Sequence, residues 1–246
     1  VATTLAVFDS IYMVSNFKNV MGQHKDFVVK PANGSQGRGI TVVTDYISNQ
    51  YQTAGGKYLS IFDIEQEIAA VIFGKYGHGI GDVALVEERL IPHKLVLPLS
   101  PKGLFDIRVI IVNSTPILSM LRLPTIHSSG KANLHQGGIG VGIDLRSGVT
   151  TNAFYKAQFI DTHPDTKANL IDFKIPFWNE IQLISKKIGD TIPLKYLGID
   201  FTITDRHGPL VLEINARPGL EIQNANRRGI ISILNNNINF TKRKFT

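Results

Sequence analysis

Three oxygen-bearing side chains near the C-terminal end of the chain have the types and spacing of a divalent-cation site. In Leu210-Val211-Leu212-Glu213-Ile214-Asn215 an apolar stretch carries Glu213 and Asn215 two positions apart. A strand alternates its side chains with period two, so both leave by one face. The preceding Gly198-Ile199-Asp200-Phe201 offers a further carboxylate to the same point. Such oxygens are hard ligands, and Mg2+ takes one or two of them and fills its other positions with water and phosphate oxygens. A solvated face of an exposed sheet would show the same spacing.

A second group of residues suits an anion. Lys30 ends the β-branched run Phe27-Val28-Val29 and is followed by Pro31 and then Gly34-Ser35-Gln36-Gly37-Arg38-Gly39. Gly34, Gly37 and Gly39 let backbone N–H groups approach phosphate oxygens, and a hairpin of this kind can fold over a triphosphate. Lys30 would reach the phosphates as a point charge. Neither a Walker loop nor a dinucleotide fingerprint fits, because a strand and not a helix follows. An ordinary flexible hairpin is the alternative.

Asp106-Ile107-Arg108, with Arg122 on the next apolar run, places two guanidinium groups on one hairpin. Strand arginines of this sort are anion clamps or snorkelling surface residues. Asn133-Leu134-His135-Gln136-Gly137-Gly138 reads either as an active-site loop or as a connector.

The elements that position these residues follow from periodicity. Strands are expected at Phe27 to Lys30, Ile40 to Thr44 and Val83 to Arg89. Ser60 and Asp63 form a capping-box pair ahead of a helix over 60–73 that stops at Gly74. Pro92 and Pro98 mark a boundary. Phe105 to Val112 and Ile117 to Leu123 read as a hairpin about Asn113-Ser114-Thr115-Pro116, and two more strands flank Arg146-Ser147-Gly148. Phe177 to Ile188 is an amphipathic helix closed by Gly189, and the strands Gly198 to Thr204 and Pro209 to Asn215 enclose Asp205-Arg206-His207-Gly208. No βαβ repeat is seen, so the chain reads as α+β with mainly antiparallel sheets. It divides into a lobe at 1–91, a second at 92–235 and a basic tail at 236–246 that holds Lys242-Arg243-Lys244.

With 246 residues, 43% hydrophobic and 19% charged, the composition supports a substantial core. Cysteine is absent, which removes disulfides, thiolate metal sites and cysteine nucleophiles. No apolar run approaches the ~20 residues of a membrane span, and Val1-Ala2-Thr3-Thr4-Leu5 lacks a secretory pattern. A cytoplasmic location is expected, and the lack of an initiator Met reads as processing or trimming. The net charge of +6 suits an acidic protein or a polyphosphate better than nucleic acid, because most of the basic residues are scattered without interleaved aromatics.

Taken in order, these segments resemble the ATP-grasp superfamily from about Asp26 to Arg228, and within it the glutamate ligases that extend the carboxyl end of a ribosomal protein. The resemblance rests on Phe27 to Pro31 with the glycine loop, Val86-Glu87-Glu88-Arg89-Leu90, Asp106-Ile107-Arg108-Val109, Ala132 to Gly138, Gly198-Ile199-Asp200, and Glu213-Ile214-Asn215-Ala216-Arg217-Pro218-Gly219. It implies two lobes with ATP bound between them. Lys30 would contact adenine and the α-phosphate, and Gly34, Ser35, Gly37, Arg38 and Gly39 would cover the β- and γ-phosphates. Glu87, Glu88, Arg89 and Leu90 would hold adenine through backbone groups. Asp200, Glu213 and Asn215 would bind Mg2+ as two ions, with Mn2+ as a substitute. Arg108 and Arg122 would clamp the γ-phosphate and an acyl phosphate, with Asn133 near the phosphates.

The implied activity is carboxylate–amine ligation: a peptide or small-molecule carboxylate as acceptor, and glutamate or a similar amino acid as amine. Arg217 and Arg227 are candidates for holding an acidic substrate or for surface ion pairs. One departure stands out. The family's upstream phosphate-contacting lysine has no match among residues 1–26, which hold only Lys18 and Lys25. A phosphotransferase and a non-catalytic binding module are the competing readings.

Overall fold

A computed structural model describes residues 1–34, 37–77, 79–100, 103–128 and 130–236 of the protein. Ser35 of the glycine loop and the tail lysines and arginine at 242–244 lie outside the described residues. The chain divides into two compact units, Val1–Leu90 and Ile91–Thr246.

In the first unit, β1 (Thr4–Phe8) leads into two short helices, α1 (Ile11–Val14) and α2 (Phe17–Met21). Then come β2 (Phe27–Pro31), β3 (Thr41–Ile47), β4 (Gln50–Thr53), β5 (Tyr58–Leu59), α3 (Ile61–Ile72) and β6 (Ala84–Glu87). The strands form one sheet in the order β1-β6-β2-β3-β4-β5, with every described pairing antiparallel. Phe27, Val29 and Pro31 alternate inward along β2, as a half-buried strand requires. Beneath them Phe8, Phe17, Phe27 and Tyr51 pack as tilted and edge-on rings 5.4–6.2 Å apart. Ile64, Ile68 and Val71 of α3 close this core. The helix starts where the sequence places it: Ser60 accepts from the Asp63 N–H, and Asp63 accepts from the Ser60 N–H.

The second unit contains β7 (Asp106–Val112), β8 (Thr115–Leu123), β9 (Ile139–Ile143), β10 (Thr150–Tyr155), β11 (Gln158–Ile160), α4 (Trp178–Thr191), β12 (Tyr196–Thr204), β13 (Gly208–Asn215), α5 (Ile222–Asn226) and α6 (Ile230–Asn236). Its antiparallel sheet runs β11-β10-β9-β8-β7-β12-β13. The chain enters the middle of the sheet at β7, meanders outward to β11, and returns through α4 to β12 beside β7. Odd-numbered residues of β7, β8, β9 and β12, among them Ile107, Val109, Leu121, Val141, Ile199 and Phe201, join Trp178 and Ile181 of α4 in one core. The opposite face packs Ile110, Leu118 and Met120 against Ile222 and Ala225 of α5 and Ile230 and Ile233 of α6.

Two sequence expectations change. Asn113 and Ser114 alone make the β7–β8 turn, both with positive φ, as a two-residue hairpin loop requires. Pro116 is therefore in β8, opposite Ile111 beside an irregularity in register, where a missing N–H is tolerated. Gly189 does not close α4, which runs on to Thr191. A Cβ on Gly189 would stand 2.9 Å from the Ser114 Cα, and the Ser114 hydroxyl donates to the Gly189 carbonyl at 2.9 Å. The glycine is there to let the hairpin turn touch the helix.

Candidate active site

Four charged side chains of the second unit, Asp106, Arg108, Arg122 and Asp200, gather on the sheet face that faces α5. Arg108 on β7 and Asp200 on β12 are directly opposite in register. The Arg108 Nε donates to Asp200 Oδ1 at 2.7 Å and its Nη2 to Oδ2 at 2.6 Å, a bidentate fork. Arg122 on β8 is opposite Asp106 on β7. Its Nε donates to Asp106, and its Nη2 passes over β7 to Asp200 Oδ2 at 2.7 Å. The two arginine side chains are 12% and 9% exposed and that of Asp200 is 4%. They are not snorkelling surface residues.

Two cations and two anions thus neutralise one another in a largely desolvated patch, the setting in which removing one partner is costly. Burial pushes the Asp106 carboxyl up to about 6. The negative charge of Asp200 adds to that shift, and Arg122 and Arg108 oppose it. Burial alone would lower Arg122, but the charges of Asp106 and Asp200 outweigh it and hold the guanidinium above its usual value.

A β-bulge brings the third carboxylate into line. Phe201 pairs with Val211, so unbroken register would put Leu212 opposite Asp200. The bulge inserts Leu212 and sets Glu213 opposite Asp200 and Asn215 opposite Gly198, re-aiming side chains as bulges do. The Asn215 amide stands 3.4 Å from Asp200 Oδ2, while Glu213 is exposed. Gly198 is required by space: a Cβ there would meet the Pro218 Cβ at 2.6 Å, so the Asn215-to-Gly219 segment folds back over β12 only past a bare backbone.

Among the described residues no group of three His, Asp or Glu side chains is spaced as a metal cage. Mg2+ needs no such cage, since water and phosphate complete its shell. Glu213, the amide oxygen of Asn215 and the less committed Oδ1 of Asp200 are hard oxygens, the class of donor that Mg2+ takes.

In the first unit, Lys30 on β2 pairs with Glu87 on β6, Nζ to Oε2, at 2.6 Å, the two side chains being 31% and 15% exposed. Glu88 accepts from the N–H and hydroxyl of Thr3 at 2.9 and 2.8 Å, and its own N–H donates to the Thr3 carbonyl. Arg89 lies 3.4 Å from Asp26, and Leu90 is half-buried. The glycine loop is tied at both ends. Asp82 accepts from the backbone and side-chain N–H groups of Asn33 at 3.0 and 2.9 Å. Gly39, at φ +73, lies against the Tyr76 ring, where a Cβ would come within 2.5 Å. A Gly34 Cβ would collide with the Pro31 ring. Gly37 also takes positive φ, and Arg38 is exposed within the loop.

Asn133 caps the 3-10 turn Leu134–Gln136 by accepting from the His135 N–H at 3.1 Å. Arg227 stacks on Phe159, its guanidinium carbon 3.7 Å from the ring centroid, and Arg217 is exposed. Sequence reading gave no role to Asp106, Asp82 or Tyr76. Asp106 was visible two positions before Arg108, on the same strand face. The other two are tertiary partners without a local signal.

This pair of antiparallel units, one with a clipped glycine hairpin and one with a charged strand face, has the α+β architecture of the ATP-grasp superfamily. The chain belongs to its sugar-transfer associated ATP-grasp family, whose model matches residues 1–239. No curated protein matches it. Solved structures similar to it include the ATP-grasp ligase PsnB complexed with minimal precursor, at 16% identity and TM-score 0.45, covering 98% of this chain and 56% of that one. The D-alanine–D-alanine ligase from Bacillus anthracis complexed with ATP is similar at 13% identity and TM-score 0.46, covering 99% and 60%. A RimK domain protein from Sphaerobacter thermophilus is similar at 12% identity and TM-score 0.43, covering 91% and 57%. The chain therefore spans little more than half the length of these proteins.

Proposed function

We propose that this protein is an ATP-dependent carboxylate–amine ligase that works through an acyl phosphate, with glutamate or a similar amino acid as the amine. The observation that carries this reading is the buried pair Arg108 and Arg122 gathered on Asp200, beside Glu213 and Asn215. Membership of the ATP-grasp superfamily and the ordered motifs from Lys30 to Asn215 support it. The reading sets the enzyme in the cytoplasm, where ATP is supplied.

Lys30 is assigned to adenine and the α-phosphate, exchanging Glu87 for the ligand, and the backbone of Glu87 to Leu90 to the adenine edge. The loop that includes Gly34, Gly37, Arg38 and Gly39 is assigned to the β- and γ-phosphates. Glu213, Asn215 and Asp200 would hold Mg2+, which would supply charge neutralisation at the phosphates. Arg108 and Arg122 turn from Asp200 to the γ-phosphate, and Asn133 lies close to it. Asp106 keeps its hold on the Arg122 Nε, so that guanidinium stays oriented while its Nη2 changes partner.

The acceptor carboxylate oxygen attacks the γ-phosphorus in line and ADP leaves. The amine nitrogen then attacks the acyl carbon. The bond from that carbon to the phosphate-bearing oxygen breaks, and inorganic phosphate departs as the amine loses a proton to solvent. The arginines contribute by positioning and by offsetting charge that grows on the transferring group.

Incubation with Mg-ATP, glutamate and a set of carboxylate acceptors tests this. ADP formation with an acceptor heavier by one glutamyl residue is the expected result. A phosphorylated acceptor, or nucleotide binding without turnover, would overturn it.

A further inference from the structure

We propose that a cleft on the second unit binds the amine substrate as a small zwitterion, an amino acid whose carboxylate meets Lys156 and His135 and whose ammonium meets Glu221. The assignment rests on the ligase reading for the ligand's role as amine. The cleft measures about 330 Å³, and its walls include Leu134, His135, Phe154, Lys156, Glu221 and Asn224. That volume is at the lower end of the ~300–1,000 Å³ usual for small-molecule sites, which suits a ligand of amino-acid size.

Sheet register connects this cleft to the arginine face. Phe154 of β10 pairs with Gly140 of β9, Gly140 pairs with Arg122 of β8, and Arg122 with Asp106 of β7. These four residues form one row across one face, because residues paired across strands leave the sheet on the same side. Neighbouring strands are ~4.8 Å apart, so the backbone at Phe154 is on the order of 10 Å from that at Arg122. Gly140, between them, presents no side chain. The gap over it is taken partly by Leu134 and by Ala225 of α5, whose side chains a Cβ at Gly140 would meet at 2.8 and 3.4 Å. A ligand seated against Phe154 is thus separated from Arg122 along the row by Gly140 and the Leu134 and Ala225 side chains over it.

The walls carry opposite charge. Glu221 is one-third exposed and accepts from the Asn224 amide at 3.3 Å, with the His135 Nδ1 3.9 Å away. Lys156 is exposed, and among the described residues its ammonium has only the Tyr155 ring, 5.3 Å from the centroid, as a neighbour of note. Lys156 and Ala157 form the β10–β11 turn with φ of +47° and +62°. Asparagine and glycine are the residues that favour such a turn, and non-glycine residues there are held by their surroundings. Behind Phe154 the wall is continued by Phe159, 5.5 Å away, and capped by Arg227. Cationic groups at Lys156 and His135, the carboxylate of Glu221 and an apolar wall at Phe154 and Leu134 match a carboxylate, an ammonium and the aliphatic body of an amino acid.

Isothermal titration of the full chain with L-glutamate and the other proteinogenic amino acids, without nucleotide, tests this. Saturable binding of at least one amino acid is expected, weakened about tenfold or more by Lys156→Met and by Glu221→Gln, the loss of one charge-assisted contact each. The analogue of that amino acid lacking its ammonium should bind the Glu221→Gln variant no worse than the wild type. Absence of binding by every amino acid, binding indifferent to both substitutions, or binding of uncharged glucose in their place would overturn the assignment. No ATP enters the titration, so its result is separate from the appearance of ADP, on which the ligase reading stands or falls.

Discussion

Lys30 with Glu87 in the first unit and the Arg108, Arg122, Asp106 and Asp200 group in the second are both cross-strand charge pairings, but they stand in different surroundings. The first is a single pair, Lys30 being about one-third exposed. The second is a four-membered network in which the two arginines and Asp200 are at least 88% buried. Water already stands ready to replace Glu87 on Lys30, so that cation can be handed to a ligand at small cost. The buried arginines have no water to fall back on. Leaving Asp200 without another anion in its place would strand both charges in a desolvated patch, so under the proposed function these arginines would favour a ligand of high charge density.

That contrast can be broken by measurement, and the largest effect is expected at Asp200. Asp200→Ala leaves two guanidinium groups facing each other without their shared anion and should cost about 3–5 kcal/mol in chemical denaturation. If Asp200→Ala costs no more than a surface substitution, the network is not the buried structure described.

Next comes pH. Asp106 titrates at about 6 in the folded chain against an ordinary 3.8, so the folded state binds the proton more tightly. Its contribution to stability is complete below 3.8 and is lost as the pH rises through about 6, on the order of 2–3 kcal/mol. The stability of the wild type relative to Asp106→Asn, followed by thermal denaturation across that window, should fall as pH rises. A difference that grows with pH would mean an ordinary depressed carboxylate and would refute the burial argument.

Gly198→Ala sharpens the comparison sterically. Its Cβ would press on Pro218, at a cost of about 1–3 kcal/mol, and should loosen the segment bearing Asn215; an unaltered denaturation midpoint would show that the contact yields freely. The smallest effect is expected in the first unit, where Glu87→Ala should cost under about 1 kcal/mol. A loss as large as that of Asp200→Ala would erase the distinction between the two regions.

The sequence already carried the local half of this picture. The period of two put Glu213 and Asn215 on one face, and Ser60 with Asp63 marked the start of α3, because both signals reside in a few consecutive residues. What stayed hidden depends on distant partners. Arg108 and Asp200 are 92 positions apart, and nothing in either strand says which strand it will neighbour. The bulge at Leu212 has no proline or glycine to announce it, although it decides whether a leucine or a glutamate faces Asp200. Thr4 to Phe8 is too short and too lightly patterned to announce a strand, yet it forms β1 beside β6. Pro116 and Gly189 misled for the opposite reason: each carries a strong local preference, overridden at Pro116 by a two-residue turn that leaves it in β8 and at Gly189 by the contact with Ser114.

A ligase working through an acyl phosphate would bring to the buried arginine face a phosphoryl group that has just become attached to a carboxylate. Oxygen-18 in the acceptor carboxylate tests it most directly, by mass spectrometry of the phosphate released during turnover with Mg-ATP and amine. One labelled oxygen is expected in each phosphate, delivered when the amine displaces phosphate from the acyl group. Phosphate free of label, with product formed, would contradict it.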